Sequence, residues 1–266
     1  MTGKSIEIII PIRNMADQLH LCVSPPLLAQ CSGVDVVTVV DDASTDRTAE
    51  TARALGARVQ SVKSSAGPPI TLGNSPRERP RRTSCCLSTG DADHCRGLMD
   101  SHRAMHADEG IALSCTATRT RTGPTLAARV AGGAAAVQPG QLYRVRGRMD
   151  YYPTANLGIN ASVFREVGGF RAMRSGADAD ICWRIQESSL GGLAADQRVL
   201  MEWEPRSSLR DLAGQWYRYG ESAAYLEWLY AAEESPILGK WDSLSGMLSE
   251  RVKRMLRAHP RRTLPA

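Results

Sequence analysis

No stretch of the chain approaches the roughly 18 consecutive apolar residues that a membrane-spanning helix needs, so no bilayer span is expected. The opening MTGKSIEIIIPIRN has too short an apolar core for a secretory signal, which makes the cytoplasm the expected location. The seven cysteines are odd in number and include no Cys-x-x-Cys pair, excluding a disulfide framework and a zinc ribbon and leaving reduced thiols. Aromatic residues make up only 5% of the chain and barely touch the arginine clusters at 77–82 and at Arg119 and Arg121. The stacking surfaces that nucleic-acid binders interleave with their basic residues are missing there. The net charge of +5 therefore reads as solvated surface, and no nucleic-acid partner is expected.

What is present suits a globular α/β protein. With 266 residues, 42% of them hydrophobic and 23% charged, the chain can bury one substantial core and a small appendage. IEIIIP (6–11) is a short apolar run stopped by proline, and VDVVTVV (34–40) is a β-branched run suited to burial on both faces of a parallel sheet. A helical connection is expected between them, over about residues 15–30. After the second run come turn and cap residues, then Ala49, Ala52 and Leu55 at helical spacing, Gly56 as a stop, and a third strand at 59–62. A βαβαβ start predicts a parallel sheet, whose ligands bind beyond the carboxyl ends of the strands. Asp41 and Asp42 stand at that end of the second strand, where two acids can accept hydrogen bonds from a base and a ribose. The alternative is that Asp42, Ser44 and Asp46 merely form a turn and cap the next helix.

IIIPIRN followed by VVTVVDDASTDRTAETA resembles the opening of the family 2 glycosyltransferases, with Pro-x-x-Asn after the first strand and Asp-Asp-x-Ser-x-Asp-x-Thr after the second. YYPTANLGINASVFREVGGF resembles their acceptor-side segment, SGADADICWRI their Gly-Glu-Asp-x-Asp-x-x-x-Arg, and SSLRDLAGQWYRYGES the helix that follows; together these cover roughly residues 5–230 in the family's order. The resemblance implies a type A glycosyltransferase fold, α/β with a mostly parallel central sheet flanked by helices, a Rossmann-like nucleotide-binding half and a helical C-terminal part. It implies a catalytic domain over residues 1–235 and a basic amphipathic helix and tail over 236–266. It also implies inverting transfer of a sugar from a nucleotide-diphosphate sugar to an unidentified hydroxyl or amine, assisted by Mg²⁺ or Mn²⁺. Carried onto this sequence, the donor-binding residues are Pro11, Asn14, Asp41, Asp42, Asp91 and Arg218. Asn156 and Gln215 line the acceptor and sugar pocket, Asp91 and Asp93 hold the metal, and Asp178 is the general base.

The acidic triplet Asp91-Ala92-Asp93 sits where the family has Asp-x-Asp, whose hard oxygen ligands suit such a cation. In the family a buried strand leads into that motif. Here residues 68–89, PPITLGNSPRERPRRTSCCLST, have no strand period, four prolines and a crowd of arginines, and read as loop. Read from the third base of each codon, the codons for RTSCCLST permit Asp-Val-Val-Leu-Phe-Val-Asp, an apolar strand ending in an acid at Thr89. The stretch thus reads as a shifted frame bounded by two compensating changes. Asp91 serves as a ligand in either register, Asp93 only in the unshifted one.

Other departures bear on activity. Ala177 replaces the family's Glu before Asp178, and Trp203 stands where many relatives place a metal-binding His. His102 and His106 have the i, i+4 spacing of a ligand pair, but with His94 in so polar a segment they are expected on a solvated helix face. Trp216, Tyr217 and Tyr219 are expected to pack a long helix. In the tail, over 240–257, apolar and basic residues segregate; docking on the catalytic domain is expected over contact with an anionic membrane. Two rivals stand against the enzyme: a catalytically impaired nucleotide-sugar-binding relative and a sugar nucleotidyltransferase, the latter lacking its Gly-rich, Arg-containing signature after the first strand.

Overall fold

The computed structural model describes residues 5–62, 84–87, 92–132, 136–137, 149–171, 173 and 175–230. Asp91, the arginines at 77–82, most of the 68–89 stretch, the tail and the 235/236 boundary lie outside the described residues.

The chain opens with β1 (Ile6–Ile12), buried along nearly its whole length because both faces are covered. Ile6, Ile8, Ile10 and Ile12 alternate onto one face and pack with Leu19, Cys22, Leu27, Val37, Val39 and Ala52, while Ile9 points to the other with Val40, Leu157, Ile159 and Phe164. The expected helix over 15–30 is instead two single turns, α1 (Leu19–Cys22) and α2 (Pro25–Leu28). Pro25 and Pro26 explain the break, since proline suits the first turn of a new helix but disfavours helical geometry in the residue before it. There follow β2 (Val36–Asp42), α3 (Thr48–Ala54) and β3 (Arg58–Val62), in close agreement with the sequence pattern.

Beyond them lie β4 (Ser84–Leu87), β5 (Ala92–His94), α4 (Leu98–Met105), β6 (Ile111–Thr120), α5 (Leu126–Ala131) and β7 (Ala136–Val137). A 3₁₀ turn, Thr154–Asn156, leads into β8 (Leu157–Asn160), α6 (Ala161–Glu166), α7 (Ala177–Glu187), β9 (Gly192–Trp203) and α8 (Leu209–Leu229). One sheet of order β3-β2-β1-β4-β8-β6-β9-β5, with β7 beside β6, holds all nine strands of the described residues. Strands β1, β2, β3, β4, β6 and β9 run in one direction, and β5, β7 and β8 oppose them.

β4 corrects the loop expected at 68–89. Four of those residues form a central strand, parallel to β1 on one side and antiparallel to β8 on the other. Two neighbours that both offer backbone hydrogen bonds override a weak local preference. The strand also lies where the shifted reading puts its apolar run.

Candidate active site

The parallel strands end along one edge, and the loops after β1 and β2 meet there. Asn14, in the left-handed region with φ 52°, accepts hydrogen bonds on its side-chain oxygen from the Thr45 amide at 2.8 Å and the Thr45 hydroxyl at 3.3 Å. In return the Asn14 amide donates to Ser44 Oγ at 2.9 Å, the Met15 amide to Thr48 Oγ1 at 2.9 Å and the Ala16 amide to Asp46 at 3.2 Å. The Pro-x-x-Asn and Asp-Asp-x-Ser-x-Asp-x-Thr segments thus clasp each other. Asp41, buried, accepts from the Ser44 amide at 3.1 Å. Asp46 accepts from the Thr48 amide at 3.0 Å and starts α3. Asp42 takes no part in this turn. Its Oδ1 is buried and has no hydrogen-bond partner among the described residues, which separates it from the turn-forming Asp41, Ser44 and Asp46. Half-buried Pro11 lies on β1 past the last described pairing with β4, opposite Val40.

Asp178 lies in the first turn of α7, behind Gly176 at φ 81°. Its Oδ2 accepts from the Thr154 amide at 3.1 Å and its Oδ1 from the Ala179 amide at 3.0 Å. Desolvation raises its carboxyl above the ordinary carboxylate value, against the lowering effect of its hydrogen bonds from Thr154 and Ala179. The second acid of the segment, Asp180, is fully buried and has a different task. It pairs with Arg171 at 2.7 Å and Arg184 at 2.8 Å and accepts from Tyr230 Oη at 2.6 Å, tying α7 to the end of α8.

Asn156 is buried, its amide wholly engaged inside the protein. Nδ2 donates to the Thr116 carbonyl at 3.2 Å and to Thr116 Oγ1 at 2.6 Å, while Oδ1 faces His102 Nε2 at 3.0 Å. His102 Nδ1 in turn lies 2.7 Å from Ser114 Oγ, which lies 2.9 Å from His106 Nε2. The solvated helix face expected for these histidines is therefore corrected: His94, His102 and His106 are each at most 2% exposed, His102 and His106 because α4 packs on β6 and β9, and His94 because it lies on β5, between β9 and α1. Burial pushes His94 and His102 down to about 4, so both are neutral at ordinary pH.

The aromatic residues of α8 also depart from expectation. Tyr217 and Tyr219 are exposed and Trp216 is half-buried. Gln215 donates to Tyr219 Oη at 3.0 Å, and Arg218 has no ion pair or hydrogen bond among the described residues. No described contact links either residue to Asp42 or Asp178.

The residues around Asp93 do not fit a divalent cation. Asp93 is hydrogen-bonded and ion-paired to Arg121, whose Nη1 also reaches Glu204 at 2.9 Å and whose Nε reaches Glu202 at 3.3 Å. These carboxylates hold the Arg121 guanidinium well above its ordinary value. A dication entering here would meet a fixed positive charge, and neighbouring Trp203 offers no ligand atom in place of the expected His. Among the described residues no group of three His, Cys, Asp or Glu side chains is arranged to hold a metal ion. Nor is any described helix long and apolar enough to cross a membrane.

Solved structures share this architecture. Glucosyl-3-phosphoglycerate synthase from Mycobacterium tuberculosis, in complex with Mn²⁺, UDP-glucose and phosphoglyceric acid, superposes with a TM-score of 0.58 at 18% identity, covering 85% of this chain and 79% of that one. A mannosyltransferase from Pyrobaculum calidifontis, in complex with GDP-mannose and Mn²⁺, gives 0.58 at 15% identity over 89% and 67%. This chain has the type A glycosyltransferase fold. Mannosyl-3-phosphoglycerate synthase from Rubrobacter xylanophilus gives 0.54 at 16% identity over 89% and 79%. In sequence, the chain is 34% identical over 91 residues to the pre-mycofactocin glycosyltransferase of M. tuberculosis, 34% of this chain and 19% of that protein. It thus matches only about a fifth of the length of these curated relatives. No family model matches the chain.

Proposed function

We propose that the chain is an inverting glycosyltransferase that moves a sugar from a nucleoside-diphosphate sugar to a hydroxyl or amine acceptor. One observation carries the reading: the partnerless, buried Asp42 Oδ1 at the carboxyl edge of a parallel sheet, where such sheets take their ligands. A carboxylate oxygen removed from water is costly without a donor, and a nucleotide's ribose hydroxyl or base N–H supplies one. Asp41 and the clasped loops hold that edge in place, with Asn14 in the turn after β1 and Pro11 on β1 itself, opposite Val40.

Asp178 is the base. Its carboxylate takes the acceptor's proton as the acceptor oxygen or nitrogen bonds to the anomeric carbon and the bond from that carbon to the diphosphate breaks. The raised carboxyl of Asp178 suits this, since a base works best when its own pKa approaches the working pH. Asn156 acts from behind the pocket wall rather than on the sugar, its amide being engaged by Thr116 and His102. Gln215 and Arg218 are assigned to the sugar and diphosphate by resemblance alone. Mg²⁺ or Mn²⁺ assistance rests on Asp91, the residues around Asp93 not fitting a cation. The implied setting is the cytoplasm.

Asp178→Asn tests the reading. The amide is nearly isosteric but cannot take a proton, so turnover should fall at least about 10²-fold while donor affinity and thermal midpoint stay near the parent's. Near-parental transfer by the variant would remove Asp178 as base. A second reading, a nucleotide-sugar binder without turnover, is favoured by the capture of Asp93 by Arg121. Tight binding of a nucleotide sugar with no transfer by the parent would select it.

A further inference from the structure

The buried chain Asn156, His102, Ser114, His106 lies behind the proposed site and takes no direct part in the transfer. We infer that His102 is a positioning residue for the transfer: through Asn156 it fixes the turn Thr154–Asn156, and that turn fixes Asp178. The inference rests on the proposed role of Asp178.

The proton arrangement follows from the acceptors. The Thr116 carbonyl can only accept, so Asn156 presents Nδ2 to it and Oδ1 to His102. His102 must then carry its proton on Nε2 and donate to Asn156, because its neutral ring has one N–H. Its Nδ1 accepts from the Ser114 hydroxyl at 2.7 Å, and Ser114 Oγ also lies 2.9 Å from Nε2 of His106, whose Nδ1 faces the Ile111 carbonyl at 3.3 Å. Asn156 is thereby held from two sides, by β6 through Thr116 and by α4 through His102. Two residues earlier in the same turn, Thr154 donates its amide to Asp178 at 3.1 Å and its side chain bonds the same carboxylate. Gly158 keeps space for the chain: a Cβ there would lie 2.2 Å from Ser114 Oγ and 2.7 Å from His102 Nδ1. So dense a set of buried polar contacts allows the turn essentially one placement.

Two variants separate positioning from general core satisfaction. In His102→Gln the side-chain amide can still donate to Asn156. In His102→Asn it can replace only the nearer contact, to Ser114. The expected result is near-parental kcat for His102→Gln and a kcat lower by about tenfold to 10²-fold for His102→Asn, the scale of a small misplacement of a catalytic group, with donor KM within about twofold. The acid limb of the kcat profile should also move up in His102→Asn, because the Thr154 bonds that lower the Asp178 carboxyl are loosened while its desolvation remains. Its close titratable neighbour Cys182, pushed up to about 12 by burial, stays neutral across that limb. Carbon NMR titration of the Asp178 carboxyl reads the same shift without turnover, so a parent that lacks activity defeats the proposed function and leaves this inference testable. If His102→Asn does not fold, Thr116→Val, which removes the 2.6 Å contact to Asn156 from the other side, should move kcat and the Asp178 titration in the same directions. Equal kcat and an unmoved Asp178 titration in the two His102 variants, or in Thr116→Val, would overturn the inference.

Discussion

Mild acid should weaken this fold through its buried histidines. His94 and His102 are neutral in the folded chain down to about 4, whereas in the unfolded chain each titrates near 6.5. Between those values the unfolded state binds more protons, so stability must fall as pH falls. At about 1.36 kcal/mol per unit, each histidine withdraws about 2 kcal/mol by pH 5 and at most about 3 kcal/mol in total. Together they remove about 4 kcal/mol at pH 5, a large share of the roughly 5–15 kcal/mol typical of a domain. Asp178 opposes them, since its raised carboxyl binds a proton in the folded state first, and Asp35 and Asp196, both lowered, lose their contributions only under more acid conditions. Urea unfolding at closely spaced pH values from about 7.5 to 5 measures the slope. Two buried neutral histidines give about 2.4 kcal/mol per pH unit near pH 5.5, and His102→Gln should remove about half of it. A free energy of unfolding that is flat or rises toward pH 5 would refute the burial of both rings.

Asp42→Asn should weaken nucleoside-diphosphate binding by about 1.5 to 3 kcal/mol and leave the fold intact, since its carboxylate serves no turn contact; unchanged affinity in calorimetry would make it a mere strand terminus. Gly158→Ala should cost about 1 to 3 kcal/mol in urea unfolding, because its Cβ meets Ser114 and His102, whereas Gly33→Ala, with nothing within 4 Å, should stay within about 0.5 kcal/mol. Asp93→Ala should leave any Mn²⁺ response of nucleotide binding as in the parent, its carboxylate being held by Arg121; a lost response would show that Arg121 yields to the ion. Resequencing the gene should find the compensating changes that restore Asp-Val-Val-Leu-Phe-Val-Asp over RTSCCLST, and an unbroken frame would discard the shift.

The β1–β3 part of the chain was legible because each signal there is local. The isoleucines of β1 and the valines of β2 are β-branched runs of strand length, and Gly56, at φ 90°, stops α3 in the conformation that makes glycine a helix terminator. Where local and long-range demands conflict, the reading failed. SCCL has no strand period, yet a place between β1 and β8 makes it a strand. Residues 15–30 have enough helical character to suggest one helix, and two adjacent prolines divide it.

The site divides along the same line. That Asp42 differs from Asp41 and Asp46 could not be read from a motif in which all three are acids; it follows from which hydrogen bonds the clasped loops leave unmade. His102 and His106 were visible as a pair at helical spacing, but the polar residues around them, Asp100, Arg103, Asp108 and Glu109 among them, hid what the pair faces. Ser114 and Thr116, on one face of β6 and two residues apart, were the missing signal, since small hydroxyl side chains buried in a strand need partners from the helix packed above. Asn156 joins that helix and that strand, and Thr154 extends the connection to Asp178. The polar residues that resemblance assigns to the sugar pocket thus include one whose bonds all point inward. A motif shared with relatives records that a residue is needed without saying whether it touches the ligand or holds the residue that does.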